Sequence, residues 1–152
     1  MDLASEAGRA LTGLEQLKAL VASGRNAPIG DTMGFVLAEL EEGRVVFEGT
    51  PTLEVYNPIG AVHGGWAATP LDSACGCAVH SRLGATQAYT TLELKVAYHK
   101  GMTKDTGPVR AEGTVLSMGR RAAFAEAKLT DAAGKLYASA TSTLLVMERP
   151  AG

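Results

Sequence analysis

The residues with the clearest chemical potential lie in one stretch, where Asn57 and the run His63-Gly64-Gly65 precede Asp72 in a mostly apolar segment. The first N–H groups of a helix lack intrahelical acceptors and attract negative charge. A carboxylate in an apolar segment needs a hydrogen-bonding or ionic partner, or it has a chemical function. Together these features predict attack on a carbonyl, with backbone amides at the helix start stabilising the developing oxyanion.

Each of these residues also has a purely structural interpretation. Paired glycines often mark only a tight turn, and Asn57 beside Pro58 is typical of a turn. His63 could cap the helix as readily as it could act as an acid or base. Asp72 could simply bond a nearby backbone group. The residue types alone leave these alternatives open.

Hydrophobic periodicity predicts the elements that position these residues. An amphipathic helix over Ser5 to Val21 precedes a β-hairpin, a short strand, a long helix and four further strands. The predicted ranges are Met33 to Leu40, Arg44 to Thr50, Leu53 to Tyr56, Gly64 to about Leu83, a strand beginning at Tyr89, Val109 to Met118, Ala122 to Thr130 and Leu136 to Met147. This order predicts an α+β domain in which an antiparallel sheet covers one principal helix, with the last four strands forming a meander.

Pro70 interrupts the predicted main helix. Proline inside a helix removes one backbone hydrogen bond and favours a kink. The helix is therefore expected either to start late or to bend just before Asp72.

Composition favours one domain: the chain has 152 residues, and 46% of them are hydrophobic. Its formal net charge of -2 lacks the excess positive charge that is typical of nucleic-acid-binding proteins. No apolar run is long enough for a membrane span, and the first twenty residues lack the pattern of a secretory signal, so a cytoplasmic location is expected. Cys75 and Cys77, the only cysteines, point in different directions on a helix. A mutual disulfide or a shared metal site is not expected.

The ordered pattern from Asn57 through His63-Gly64-Gly65 to Asp72, continuing into Cys75-Gly76-Cys77-Ala78, resembles the hotdog-fold acyl-CoA thioesterases. The similarity is to the branch of phenylacetate-pathway and 4-hydroxybenzoyl-CoA thioesterases, and it covers roughly residues 31–147. It implies a hotdog fold, a curved antiparallel sheet wrapped around one long central helix. Residues 1–30 would form an N-terminal helix and connector, and residues 31–152 the hotdog domain.

The resemblance also implies roles for individual residues. Asp72 would be the nucleophile or general base, and the N–H of Gly64 the oxyanion donor. Asn57 would position the thioester or the attacking water, and His63 would line the site. Residues implied in substrate binding are Gly65, Thr91, Trp66, Arg120 and Arg121.

The implied assembly is a homodimer or homotetramer with Asp72 facing Asn57 and Gly64 across a subunit interface. Coenzyme A is part of the substrate, and neither a metal nor another cofactor is expected. The expected reaction is hydrolysis of acyl-CoA thioesters, with aryl or arylacetyl groups slightly preferred over medium-chain fatty acyl groups. Two alternatives remain: an enoyl-thioester hydratase or dehydratase using His63 and Asp72, and a noncatalytic acyl-CoA sensor.

Overall fold

The computed structural model describes residue 2 and residues 11–149, which contain six strands in one sheet and three α-helices. Helices α1 and α2 are followed by a hairpin, a 3-10 turn, the long helix α3 and four strands. The elements are α1 (Gly13–Ala22), α2 (Pro28–Met33), β1 (Phe35–Glu41), β2 (Arg44–Gly49), the 3-10 helix (Leu53–Val55), α3 (Gly64–His80), β3 (Gln87–Tyr98), β4 (Val109–Met118), β5 (Ala122–Asp131) and β6 (Leu136–Glu148). In this part of the chain, no helix is both long and apolar enough to cross a membrane.

The six strands form one antiparallel sheet in the order β1-β2-β4-β5-β6-β3. The predicted four-strand meander is wrong in one respect. Strands β4, β5 and β6 are sequential neighbours, but β3 lies at the far edge beside β6. Alternation within a strand reports which face is buried but contains no information on its neighbours, so it could not reveal this placement.

Helix α3 packs across the buried face of the sheet. Alternate residues of β5 face it, and most of them are alanines, which allow close approach: Ala123, Ala125, Ala127 and Leu129. The closest approach is at Gly113 of β4, where an added Cβ would lie 2.3 Å from the carbonyl oxygen of Ala74. The predicted hotdog architecture, a sheet wrapped around one helix, is confirmed.

Two local expectations require correction. The predicted strand at 53–56 is instead a 3-10 helix, because Val55 and Tyr56 donate to carbonyls three residues back and the side chain of Thr52 accepts from the N–H of Glu54. Only Tyr56 pairs in a β-like manner, through an isolated bridge to Val62. Short apolar segments do not discriminate between these conformations.

The described N-terminal residues also differ from the predicted helix. Helix α1 begins at Gly13, because Thr12 and Glu15 form a reciprocal capping box there. Residues 5–10 of the predicted helix lie outside the described residues. The apolar pattern does not predict the six-residue helix α2, although Pro28 at its start and left-handed Gly34 at its end are typical boundary residues.

Pro70 lies within α3, which begins at Gly64 and continues to His80. The expectation of a late helix start is therefore wrong. Pro70 is buried, so the lost backbone hydrogen bond is accompanied by apolar packing of the proline ring.

Helix α1 packs on the C-terminal end of α3 through backbone and side-chain contacts. The N–H of Gly13 donates to the carbonyl of Leu83 at 2.9 Å. Gln16, which is 1% exposed, pairs through Oε1 with Nε2 of His80 at 3.1 Å and donates through Nε2 to the carbonyl of Leu11. The end of α3 is thus held in place by a buried polar contact.

The burial of His80 predicts a loss of stability in acid. Burial lowers the pKa of His80 to about 4 from an ordinary 6.5, with Arg149 contributing further. Below pH 6.5 the unfolded chain binds the proton more readily, so the free energy of unfolding should fall as the pH falls, reaching a loss of about 3 kcal/mol below pH 4. Urea unfolding of wild type and His80→Gln between pH 7 and 4, at one protein concentration, measures the effect. The difference between the two curves should change with pH; parallel curves would contradict the prediction.

Candidate active site

The N-terminus of α3 is capped by His63, whose Nδ1 accepts a hydrogen bond from the N–H of Gly65 at 2.8 Å. The structural interpretation of His63 as a cap is therefore confirmed, and Nδ1 carries no proton in this geometry. Gly64 is the first helical residue, so its N–H has no acceptor within the helix. The cap leaves this N–H available to a ligand.

A cleft of about 330 Å³ lies beside this helix start. Asn57, His63 and Gly64 line it from one side, and Tyr98 and Lys100 from the end of β3. The Tyr98 hydroxyl donates to the carbonyl of Gly64 at 2.7 Å, tying the helix start to the strand. Three of the predicted site residues therefore share one concave surface.

Asn57 shapes the loop that leads to the cleft. Its side-chain oxygen accepts from the N–H groups of Ile59 and Ala61, at 3.1 and 3.3 Å. In the described part of the chain, its side-chain NH₂ makes no hydrogen bond. The oxygen thus has the turn-forming role, while the amide nitrogen can still donate to a substrate.

Asp72 lies two helical turns beyond Gly64, about 12 Å along the axis at 1.5 Å per residue. Its Oδ1 accepts a hydrogen bond from the Thr91 hydroxyl at 3.2 Å, and the carboxylate is only partly buried. Asp72 does not line the cleft beside Gly64. One protomer therefore brings Asp72 together with Thr91 but keeps it apart from Asn57 and Gly64.

Tyr89 is a residue of this region that the sequence analysis did not identify. It lies two residues before Thr91 on the same face of β3 and opposite Gly76 of α3, where an added Cβ would lie 2.7 Å from the Tyr89 hydroxyl. Burial raises the pKa of that hydroxyl, and Cys77 and Asp72 add to the effect. Twofold alternation could have placed Tyr89 beside Thr91, but not opposite Gly76.

The remaining predicted substrate-binding residues lie elsewhere. Trp66 is 2% exposed, and its indole N–H donates to the carbonyl of Met33 at 2.7 Å, so it packs in the core. Arg120 and Arg121 are exposed in the turn between β4 and β5. None of these three residues lines the cleft at Gly64.

The two cysteines are free; Cys75 is buried in the core, and Cys77 is partly buried against it. Burial raises the pKa of both the Cys75 and the Cys77 thiol to about 12. Thiols are nucleophilic as thiolates, so neither is poised for attack at neutral pH.

Comparisons with known proteins place this geometry in a family. A 1,4-dihydroxy-2-naphthoyl-CoA hydrolase of Listeria monocytogenes serotype 1/2a (strain 10403S) is 25% identical over 119 residues, covering 78% of this chain and 95% of the relative. Among solved structures, a thioesterase family protein from Silicibacter pomeroyi is 25% identical, with a TM-score of 0.76 over 93% of this chain and 99% of the other.

A second solved structure, a point mutant of the phenylacetic acid degradation protein PaaI from Thermus thermophilus, shares the fold at 24% identity. Its TM-score is 0.71, over 78% of this chain and 98% of the other. The family model of the thioesterase superfamily matches residues 59–138, which is more than half of the chain and includes the helix start, most of the cleft, Asp72 and Thr91. The protein therefore belongs to the thioesterase superfamily and is a thioester hydrolase.

Proposed function

We propose that this protein hydrolyses acyl-CoA thioesters to the free acid and coenzyme A, with Asp72 as the catalytic carboxylate. The observation that carries the proposal is that α3 presents a partly buried carboxylate fixed by Thr91 and, at its start, an N–H with no helical acceptor in a cleft. A carboxylate and a fixed amide donor are the two groups that acyl transfer to water requires.

A complete site of this kind requires two protomers. Asp72 and Gly64 lie about 12 Å apart along one rigid helix, too far to act on the same carbonyl. Strand β3, which carries Thr91, is an end strand of the sheet, so its outer edge is open to a second copy. A homodimer, alone or within a homotetramer, would place Asp72 of one protomer opposite Asn57 and Gly64 of the other, giving two equivalent sites.

The reaction follows from these positions. Asp72 either removes a proton from water as the water oxygen attacks the thioester carbon, or attacks that carbon itself to form an anhydride that water then cleaves. The N–H of Gly64 donates to the carbonyl oxygen as it becomes an oxyanion, and the Asn57 amide aligns the thioester. The C–S bond breaks, and the coenzyme A thiolate leaves and takes up a proton.

The end of β3 provides positive charge for coenzyme A. Lys100 lines the cleft, and the backbone N–H groups of His99 and Lys100 both donate to the carbonyl of Tyr137, which brings Lys100 beside the β5–β6 turn. The neighbouring ammonium of Lys135 lowers the pKa of Lys100. Two adjacent cations favour a phosphate group, which supports this pair over Arg120 and Arg121 as the contact for coenzyme A.

The proposed acyl group is aryl or arylacetyl, with medium-chain acyl groups as the second class. Its support is the aryl-CoA named for the Listeria relative. The test is thiol release from benzoyl, phenylacetyl, hydroxylated aryl and medium-chain acyl-CoA compounds. Free thiol indicates hydrolysis. An intact thioester with altered unsaturation would indicate a hydratase, and tight binding without turnover would indicate a sensor.

Removing the N–H of Gly64 should strongly reduce turnover. Proline is tolerated at the first helical position, and His63, with φ -64° and ψ 135°, has the extended backbone that precedes proline readily. Gly64→Pro therefore removes the donor at a site where the helix can still form. We expect kcat to fall about 10²-fold with a smaller change in KM, measured by thiol release.

Gly64→Ala is the matched control for this variant. Its Cβ would lie 3.0 Å from the Tyr98 ring and hydroxyl, as in the proline variant, but it keeps the N–H. The difference between the two variants isolates the hydrogen bond from the crowding. Equal activities of the two folded variants would exclude Gly64 as the oxyanion donor.

A further inference from the structure

We propose that the hydroxyl of Tyr89 holds the water molecule that Asp72 activates. This inference rests on the proposed hydrolysis and adds a residue to the Asp72 side of the site. Tyr89 and Thr91 lie on the same face of β3, and Thr91 already donates to Asp72 at 3.2 Å. The strand therefore presents two hydroxyl groups to the stretch of α3 that begins at Asp72.

Gly76 makes room for this hydroxyl. A Cβ at residue 76 would lie 2.7 Å from the Tyr89 oxygen and 3.1 Å from the nearer ring carbon, so any side chain there would displace the phenol. Gly76 lies four residues beyond Asp72, about 6 Å further along the helix axis and on the same side of α3. The Tyr89 hydroxyl therefore lies about one helical turn from Asp72 along the same side of α3.

The ring is held independently of its hydroxyl. His80 packs edge-on against Tyr89, with ring centroids 5.8 Å apart and an interplanar angle of 87°. His80 in turn pairs with Gln16 of α1. Because these contacts involve the ring and not the oxygen, Tyr89→Phe should preserve the packing.

The Tyr89 hydroxyl makes no hydrogen bond in the described part of the chain, and because no buried side-chain oxygen there lacks a partner, this oxygen is in contact with solvent. Burial of the side chain, with Cys77 and Asp72, raises its pKa. A phenol that stays protonated is a permanent donor. A hydroxyl that is in contact with solvent and has no protein acceptor binds water, and such waters can bridge two protein groups. A water molecule between Tyr89 and Asp72 satisfies this donor and contacts the base.

In the water-activation step, Asp72 and the water molecule supply every proton and electron pair that is needed. Tyr89 donates one hydrogen bond to the water oxygen and keeps its proton throughout. Asp72 accepts a proton from the water, and the remaining lone pair on the water oxygen forms the new C–O bond. Thr91 orients the carboxylate, while Tyr89 orients the nucleophile, so the two hydroxyls have different roles.

The test is Tyr89→Phe, assayed by thiol release with the best acyl-CoA substrate of the wild type. We expect kcat to fall about 10-fold or more while KM stays within about twofold, because the lost bond is to the attacking water and not to the thioester. The thermal midpoint should stay close to that of the wild type. A folded variant with wild-type kcat, or one with a raised KM at unchanged kcat, would overturn the inference.

Gly76→Ser in the Tyr89→Phe background separates water positioning from packing. Without the phenol oxygen, a serine Cβ would meet ring carbons at 3.1 and 3.2 Å, contacts that a small ring shift relieves. The new hydroxyl should raise kcat above that of Tyr89→Phe alone. No gain in kcat would assign Tyr89 to packing.

Different results would refute the role of Tyr89 and the proposed hydrolysis. If the wild type releases no thiol, or if Asp72→Asn releases thiol at the wild-type rate, the proposed function fails. If Asp72→Asn is inactive while Tyr89→Phe turns over at the wild-type rate, only the role of Tyr89 fails.

Discussion

Asp72→Asn should lower kcat for thiol release at least about 10³-fold while leaving acyl-CoA binding largely intact. The amide is neutral, so it neither attacks a carbonyl nor takes a proton from water. Its oxygen can still accept the hydrogen bond that Thr91 donates at 3.2 Å, so the local structure should persist. Steady-state kinetics and equilibrium binding of a nonhydrolysable acyl-CoA analogue measure the two effects.

The matched control is Asp31→Asn, an equal change of charge and shape at an exposed site on α2. It should retain the kcat of the wild type. If folded Asp72→Asn also kept most of its turnover, the carboxylate would not be the catalytic group, and the proposed mechanism would have to be abandoned.

Gly113→Ala should destabilise the fold by about 3 kcal/mol through a clash between β4 and the backbone of α3. The new Cβ would lie 2.3 Å from the carbonyl oxygen of Ala74 and 2.4 Å from its carbon. Both atoms belong to the backbone of α3, so no side-chain rotation relieves the clash, and helix and sheet must move apart. Urea unfolding at a fixed protein concentration provides the measurement.

Gly119→Ala is the comparison variant, because its Cβ would meet only the carbonyl oxygen of Ala122, at an ordinary 3.6 Å. It lies just after the same strand and should change the free energy of unfolding by less than about 1 kcal/mol. Similar losses in the two variants would show that the contact between Gly113 and Ala74 does not limit packing.

The fold is largely predictable because its buried faces produce local sequence patterns. Twofold alternation in β5 and β6 and the run of small residues in α3 each report one face of one element. The position of β3 beside β6 depends on long-range pairing, which no local pattern contains. The 3-10 turn at Leu53–Val55 escapes prediction because three residues with one capping threonine carry too little periodic signal.

The sequence predicts which residues form the candidate site, but it does not show what each side chain does there. The pattern of Asn57, His63, Gly64 and Asp72 indicates acyl chemistry. Only the structure shows that the His63 ring accepts from Gly65 and that the Asn57 oxygen serves the loop. Tyr89 escapes prediction because its significance depends on its contact with Gly76, which lies earlier in the chain and on a different element.

The open edge of β3 has a consequence for the lifetime of an isolated protomer. This strand is twelve residues long, it ends the sheet, and it carries the exposed Leu92 and Tyr98. Long unprotected edges are templates for the addition of foreign strands. In the proposed homodimer, a protomer separated from its partner would therefore be the aggregation-prone species, and conditions that dissociate that dimer should shorten the time for which the protein stays in solution.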